Sequence, residues 1–116
     1  MTSTNTQLRC DGVKPFTMKP VGKDYIWGGT RLNDDFSKNI ELYPLAETWE
    51  CSTHPHGTSI VNSGEFKGKS LKEVLPTHPE FLGKYSEAYG DLPVLIKLID
   101  AKQDLSIQVH PNDDYA

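Results

Sequence analysis

The feature that most constrains the fold is a nearly continuous apolar run at residues 92–99, in which the only charged side chain is Lys97. A short run of this kind is typical of a strand that is buried on both faces. At residues 105–110, apolar and polar side chains then alternate, as they do on a strand with one apolar and one polar face. The residues between the two runs have the length of a hairpin loop. We therefore predict a hairpin here.

The second run sends Ser106, Gln108 and His110 to one face. If Asp100 pairs with Leu105, Lys97 falls opposite Gln108, although a shift of one residue would pair other faces. The polar face is compatible with a half-exposed strand and equally with a strand that lines a site. Lys97 needs either an edge position, from which its amino group reaches water, or an anionic partner.

Length and charge restrict the class of protein. The 116 residues form one domain or part of one, and the net charge of −4 argues against a nucleic-acid-binding surface. No apolar run is long enough to cross a membrane, and the polar N-terminus lacks the apolar segment of a secretory signal. Two cysteines without framework spacing, Cys10 and Cys51, predict free thiols in a reducing cytoplasm. We expect residues 1–12 to be a disordered lead-in and residues 13–116 to fold.

Short strands and turns dominate the middle of the chain. Strands are expected at residues 46–52 and 58–61, joined by a turn at His54-Pro55-His56-Gly57, because a residue before proline avoids the helical region. The His-x-His pair could suggest metal binding, but Pro55 favours a surface turn. The whole pattern predicts a mainly β protein, an antiparallel sandwich or open barrel.

A small helical insert is expected at about residues 70–83. Ser70 and Glu73 have the spacing of a capping box, with Pro76 expected to stop that helix. Pro79 fits the first turn of a second helix, which Gly83 would end.

Two further positions require an explanation. Glu47 shares a strand face with Trp49, and a charge beside a buried aromatic ring needs a partner. A structural ion pair or backbone contact is the favoured account of Glu47. After Trp27, the adjacent Gly28 and Gly29 indicate a sharp turn or a close approach of the backbone to another group. Trp27 itself fits a core position better than a substrate contact.

Four stretches in this order and spacing resemble the N-terminal part of mannose-6-phosphate isomerase, in particular the shorter bacterial branch of the type I family. The resemblance extends from about Phe16 to Ala116, and its last motif is the most specific. The stretches are Tyr25-Ile26-Trp27-Gly28-Gly29, Ala46-Glu47-Thr48-Trp49-Glu50-Cys51-Ser52-Thr53-His54-Pro55-His56-Gly57, Phe66-Lys67-Gly68-Lys69-Ser70-Leu71 and Ile107-Gln108-Val109-His110-Pro111-Asn112-Asp113-Asp114-Tyr115-Ala116.

The resemblance implies a cupin-type β-barrel that binds a metal, usually zinc, and interconverts mannose 6-phosphate and fructose 6-phosphate. By motif match His110 would be a metal ligand, and Gln108 corresponds to a ligand position in the longer members. Residues two apart on a strand lie about 6.5 Å apart and point the same way, so both side chains could reach one ion. The candidate contacts to the sugar phosphate are Lys97, Ser106, Glu47 and Trp27, although the Ser106 hydroxyl could instead bond a neighbouring strand.

The resemblance also implies residues that this sequence does not contain. In the family, a glutamate and a second histidine that bind the metal, and an arginine assigned to catalysis, follow the segment that ends here at Ala116. A zinc site uses at least three protein ligands. We therefore expect an N-terminal piece of the enzyme that is inactive alone and whose terminal strand is an exposed edge for self-association. The alternative is a non-catalytic carbohydrate-binding or regulatory β-domain on the same scaffold.

Overall fold

The structure is a computed structural model that describes residues 14–84 and 86–114. The expected lead-in at residues 1–12 lies outside this part of the chain. The described residues form five short strands, two α-helices and two 3₁₀ helices, which confirms a mainly β fold with a helical insert. In chain order the elements are β1 (Met18–Lys19), β2 (Val21–Lys23), α1 (Arg31–Asp34), β3 (Glu47–Cys51), β4 (Ile60–Val61), α2 (Leu71–Thr77), the 3₁₀ helices Pro79–Leu82 and Glu87–Tyr89, and β5 (Ile96–Ile99).

The strands form two antiparallel sheets. β1 pairs with β4, and β3 lies between β2 and β5 in a three-stranded sheet. In the larger sheet Trp49 is opposite Val21 on one side and Lys97 on the other, and the register shifts between Trp49 and Cys51. This register brings the charged residue of β5 beside the centre of β3.

A small core lies beneath the sheets and the helical insert. Its apolar side chains are all aliphatic apart from Trp49, as expected for a domain driven by apolar burial. The most buried of them are Leu32, Leu45, Ala46, Val61, Leu71, Val74 and Leu75. Three of these come from α2, so the helix stays in place mainly by its apolar face.

The capping box at the start of α2 is confirmed. The Ser70 hydroxyl accepts the Glu73 N–H at 3.2 Å, and the Glu73 carboxylate accepts the Ser70 N–H at 2.9 Å. The prediction that Pro76 stops this helix is wrong. The helix continues through Pro76 to Thr77. The N–H of His78 donates to the Val74 carbonyl at 3.1 Å, so the last turn closes around the proline.

The predicted hairpin at the end of the chain is wrong. Only Ile96–Ile99 is a strand, its residues are mostly exposed, and its partner is β3. Residues 105–110 have no regular structure and are exposed. The residues expected to form the hairpin loop instead bond elsewhere: the N–H groups of Lys102 and Gln103 both donate to the Trp27 carbonyl. These bonds hold the residues after β5 against Trp27, and the chain does not fold back onto β5.

Candidate active site around Glu47 and Lys97

The β3–β5 register places a carboxylate and an ammonium group side by side. Lys97 Nζ lies 3.2 Å from Glu47 Oε1 and 3.3 Å from Oε2. The Glu47 side chain is 7 % exposed, whereas that of Lys97 is 36 % exposed. The pair therefore has a buried anionic end and a cationic end that solvent, or a solute, can reach.

Trp49 fixes the other side of the carboxylate. Glu47 and Trp49 are two residues apart on β3 and share a face, and the indole Nε1–H donates to Glu47 Oε2 at 2.8 Å. Both oxygens of Glu47 are thus occupied by donors. This agrees with the expected structural ion pair at Glu47, and it makes the carboxylate an orienting group for Lys97.

Two further side chains contact the indole ring of Trp49. Lys23 Nζ lies 4.3 Å from the ring centroid, in cation–π geometry, and the His54 ring meets it edge-on at 5.5 Å. A Cβ at Gly57 would lie 2.8 Å from Trp49 Cε3, so the turn that follows β3 packs tightly against the ring. These contacts make Trp49 a rigid support for Glu47.

No described hydrogen bond or ion pair joins the predicted metal ligands to this pair. Gln108 and His110 are exposed in the irregular segment, and so is Ser106. Within residues 14–84 and 86–114, no three His, Cys, Asp or Glu side chains are grouped as a metal site would need. The register predicted between Lys97 and Gln108 is wrong, since Lys97 pairs with Trp49. The two ligands predicted from the sequence are one imidazole and one amide, fewer than a zinc site requires.

Trp27 occupies a half-buried position and stacks on Tyr25, with ring centroids 5.5 Å apart. The prediction of close backbone approach at the two glycines is confirmed. A Cβ at Gly28 would lie 2.5 Å from Ala46 Cα, and one at Gly29 would lie 2.5 Å from Asp100 Oδ2. Trp27 is therefore attached to the main sheet through the glycines that follow it.

His54 and His56 form a surface turn, as predicted. The Gly57 N–H donates to the His54 carbonyl at 3.0 Å, and the His56 N–H donates to His54 Nδ1 at 3.1 Å. One ring nitrogen of His54 is thus already engaged within the turn. Cys51 is half-buried, and burial raises the pKa of its thiol, which disfavours the thiolate that a nucleophile would need.

Two residues that matter for the site were not singled out from the sequence. Lys23 lies on β2, and its position over Trp49 follows from β2 pairing with β3. Asp100 directly follows β5 and is buried beside Gly29. A signal existed for Asp100, because an acidic residue directly after an apolar strand is expected to find a donor.

Comparison with known proteins identifies the family. The family model for phosphomannose isomerase type I, catalytic domain, matches residues 16–116. The chain belongs to this family. Among curated relatives, the probable mannose-6-phosphate isomerase GmuF of Bacillus subtilis is 45 % identical over 105 residues, which are 88 % of this chain and 32 % of the relative. The mannose-6-phosphate isomerase ManA of the same organism is 44 % identical over 104 residues, 89 % of this chain and 32 % of the relative.

A solved structure agrees with the type I assignment. The crystal structure of the mannose 6-phosphate isomerase from Bacillus subtilis matches with a TM-score of 0.78 at 43 % sequence identity, over 89 % of this chain and 32 % of that one. The chain thus spans about a third of the length of the relatives it matches. No helix among the described residues is long and apolar enough to cross a membrane.

Proposed function

We propose that this chain provides part of the active site of an enzyme that interconverts mannose 6-phosphate and fructose 6-phosphate. The observation that carries the proposal is the family match over residues 16–116, together with relatives named as mannose-6-phosphate isomerases. The proposal includes a cupin-type barrel, of which the described sheets form a part, and a cytoplasmic location, where a free thiol such as Cys51 persists.

The Glu47–Lys97 pair suits one task in this chemistry. Isomerisation between an aldose and a ketose moves a proton between C1 and C2, and the oxygens on those carbons become negative as it moves. Lys97 offers a positive charge at the open end of the pair, where it can contact a substrate oxygen or the phosphate. Both carboxylate oxygens of Glu47 already accept hydrogen bonds. We therefore propose that Glu47 orients Lys97 and does not transfer the proton.

The remaining candidates belong to the proposal as well. We assign Ser106 and Trp27 to substrate contact, and Gln108 and His110 to two ligand positions of a zinc site. Zinc bound there would stabilise the negative oxygen as a Lewis acid. Because two ligand positions are fewer than a zinc site requires, no step of the reaction is assigned through the metal in this chain.

A non-catalytic carbohydrate-binding or regulatory domain is the second candidate. The observation that favours it is the lack of a grouped metal-ligand set among the described residues. Such a domain would bind sugar phosphate through Lys97 without any dependence on His110. Replacement of His110 by alanine therefore separates the two candidates: zinc affinity should fall if His110 is a ligand and should not change if the domain is non-catalytic.

The open edge of the larger sheet is a candidate for association between copies. Of the two edge strands, β2 and β5, we consider β5, which takes the place of the segment predicted from the sequence. Among the described residues it has β3 on one side and no strand on the other. Ile96 and Ile99 are 54 % and 49 % exposed. An apolar strand with an open edge is a template for pairing.

The proposal is tested first with the purified chain. A coupled assay that detects fructose 6-phosphate, run with mannose 6-phosphate and added zinc, should show no turnover by the chain alone, because it contributes too few metal ligands. Turnover at a rate typical of enzymes would contradict this assignment.

A further inference from the structure

The loop of residues 27–30 is attached to two separate parts of the chain. Gly28 forms an antiparallel bridge with Ala101, and Gly29 forms one with Leu45. The Gly29 N–H donates to the Asp100 carbonyl at 3.2 Å, and the Gly29 carbonyl accepts the Leu45 N–H at 2.9 Å. The loop thus lies between the approach to β3 and the exit from β5.

The Asp100 side chain adds a contact that backbone pairing alone would not give. Its Oδ2 accepts the Arg31 N–H at 2.9 Å, across 69 residues of sequence. Arg31 is the first residue of α1, whose preceding residue, Thr30, provides no side-chain cap. An N–H at a helix start has no partner within the helix, so the carboxylate supplies the missing acceptor.

This contact requires the side chain of Asp100 to be buried and Gly29 to have no side chain. Asp100 is 9 % exposed. A Cβ at Gly29 would lie 2.5 Å from Asp100 Oδ2, closer than non-bonded atoms approach. Glycine is therefore the residue that lets the carboxylate reach the Arg31 N–H.

The same loop also holds the residues that follow Asp100. The Trp27 carbonyl accepts the N–H of Lys102 at 2.8 Å and that of Gln103 at 3.1 Å. These two residues lead directly into residues 105–110. The loop of residues 27–30 therefore sets the direction in which the chain leaves β5, and the Asp100 side chain holds that loop in place.

We propose that Asp100 is a positioning residue, whose carboxylate joins the Trp27–Thr30 loop to the exit of β5 and so directs the segment that carries Ser106, Gln108 and His110. What the segment binds rests on the proposed function, but the contact itself does not. An acceptor oxygen at this position is the essential property, because the partner is a neutral backbone N–H.

Hydrogen exchange on the intact chain tests the proposal. In the wild-type chain the amides of Arg31, Lys102 and Gln103 should be protected. Asp100→Leu keeps the side-chain size and removes the acceptor, so these three amides should exchange at least tenfold faster. Asp100→Asn retains an acceptor oxygen and should stay within about threefold of wild type. The matched control is Asp104→Leu, at an exposed aspartate without a described contact.

The pattern of the change distinguishes positioning from general loss of structure. The β3 amides of Thr48 and Trp49 should keep their wild-type protection in Asp100→Leu. Equal exchange at Lys102 and Gln103 in the wild type and Asp100→Leu would overturn the proposal. If Asp100→Leu does not fold, the wild-type chain alone tests the proposal. An Arg31 amide that is not protected from exchange in the wild type would overturn the proposal. Gly29→Ala, made from the opposite side of the contact, should reproduce the Asp100→Leu pattern.

A parallel binding measurement separates this inference from the proposed function. In a whole isomerase whose N-terminal third is this chain, mannose 6-phosphate should bind several-fold more weakly to Asp100→Leu than to Asp100→Asn. If that enzyme does not bind mannose 6-phosphate but the exchange pattern of the chain is as expected, the proposed function fails and the positioning role stands. If binding occurs and Asp100→Leu changes neither exchange nor affinity, the positioning role fails.

Discussion

At the scale of single residues, Glu47 is the side chain whose surroundings explain most of the candidate site. Its burial required a partner, and the structure provides two, the Trp49 indole and the Lys97 ammonium group. The need for a partner could be predicted because an unpaired buried charge is costly. The identity of the cation could not, because it depends on which strand pairs with β3.

Glu47→Gln should destabilise the chain by about 1–2 kcal/mol. The substitution removes the ion pair but keeps the side-chain size, and the half-exposed Lys97 can recover part of its solvation. Urea unfolding followed by tryptophan fluorescence measures the difference. The control is Glu41→Gln, at an exposed glutamate without a described contact, and an equal effect of the two substitutions would contradict the role of the pair.

Lys97→Ala should weaken binding of mannose 6-phosphate about tenfold or more, because the substrate loses a charge-assisted hydrogen bond. Calorimetric titration of a chain that extends through the whole isomerase measures this. Lys67→Ala removes an exposed lysine without a described side-chain contact and serves as control. Unchanged affinity in Lys97→Ala would remove Lys97 from the site.

At the scale of elements, α2 and β5 show what a sequence can and cannot specify. The capping box of α2 uses residues three apart, so its geometry is local and was predicted correctly from Ser70 and Glu73. β5 was predicted as an apolar strand, but its partner was wrong. Strand pairing is a non-local choice, and the donors of Lys102 and Gln103 went to Trp27 instead of closing a hairpin.

Ser70→Ala should cost about 1 kcal/mol, the usual effect of losing an N-cap. Hydrogen bonds from the Ser70 backbone, and then from its side chain, lower the pKa of Glu73 below its ordinary value of 4.5. A carboxyl group whose pKa is lower in the folded state than in the unfolded state stabilises the fold at pH values above its unfolded pKa. This stabilisation is lost as the pH falls through the lower, folded-state pKa.

Glu73→Gln should therefore differ from the wild type most at neutral pH, and the difference should shrink as the pH falls below 4.5. Thermal unfolding at a series of pH values measures it. Glu80→Gln, in the neighbouring 3₁₀ helix and without a described side-chain contact, is the matched control. A difference between Glu73→Gln and the wild type that does not vary with pH would contradict the capping role of the carboxylate.

At the scale of the whole molecule, the fold class and family could be predicted from the order of short motifs along the chain. The site could be predicted only in part. Glu47 and Lys97 were both candidates, and they meet because β3 pairs with β5. The hairpin that was expected to place Lys97 opposite Gln108 does not form. Ser106, Gln108 and His110 share an alternating pattern, yet that pattern alone did not form a strand, because a strand also needs a paired neighbour.

The exposed edge of β5 predicts association that depends on concentration. The average mass measured by sedimentation should rise as the chain is concentrated, and Ile96→Lys should suppress the rise by placing a charge at the edge. Ile26→Lys, at a residue that is 84 % exposed but outside the strands, should leave it unchanged. A strict monomer at high concentration would count against pairing through β5.

The most direct test of the account transplants the chain into a relative. Residues 16–116 would replace the matching third of Bacillus subtilis GmuF, and conversion of mannose 6-phosphate to fructose 6-phosphate would be measured with zinc present. We expect an active chimera. Its turnover should fall at least a hundredfold with His110→Ala and change little with His56→Ala. A folded chimera without activity, or one that His110→Ala leaves fully active, would contradict it.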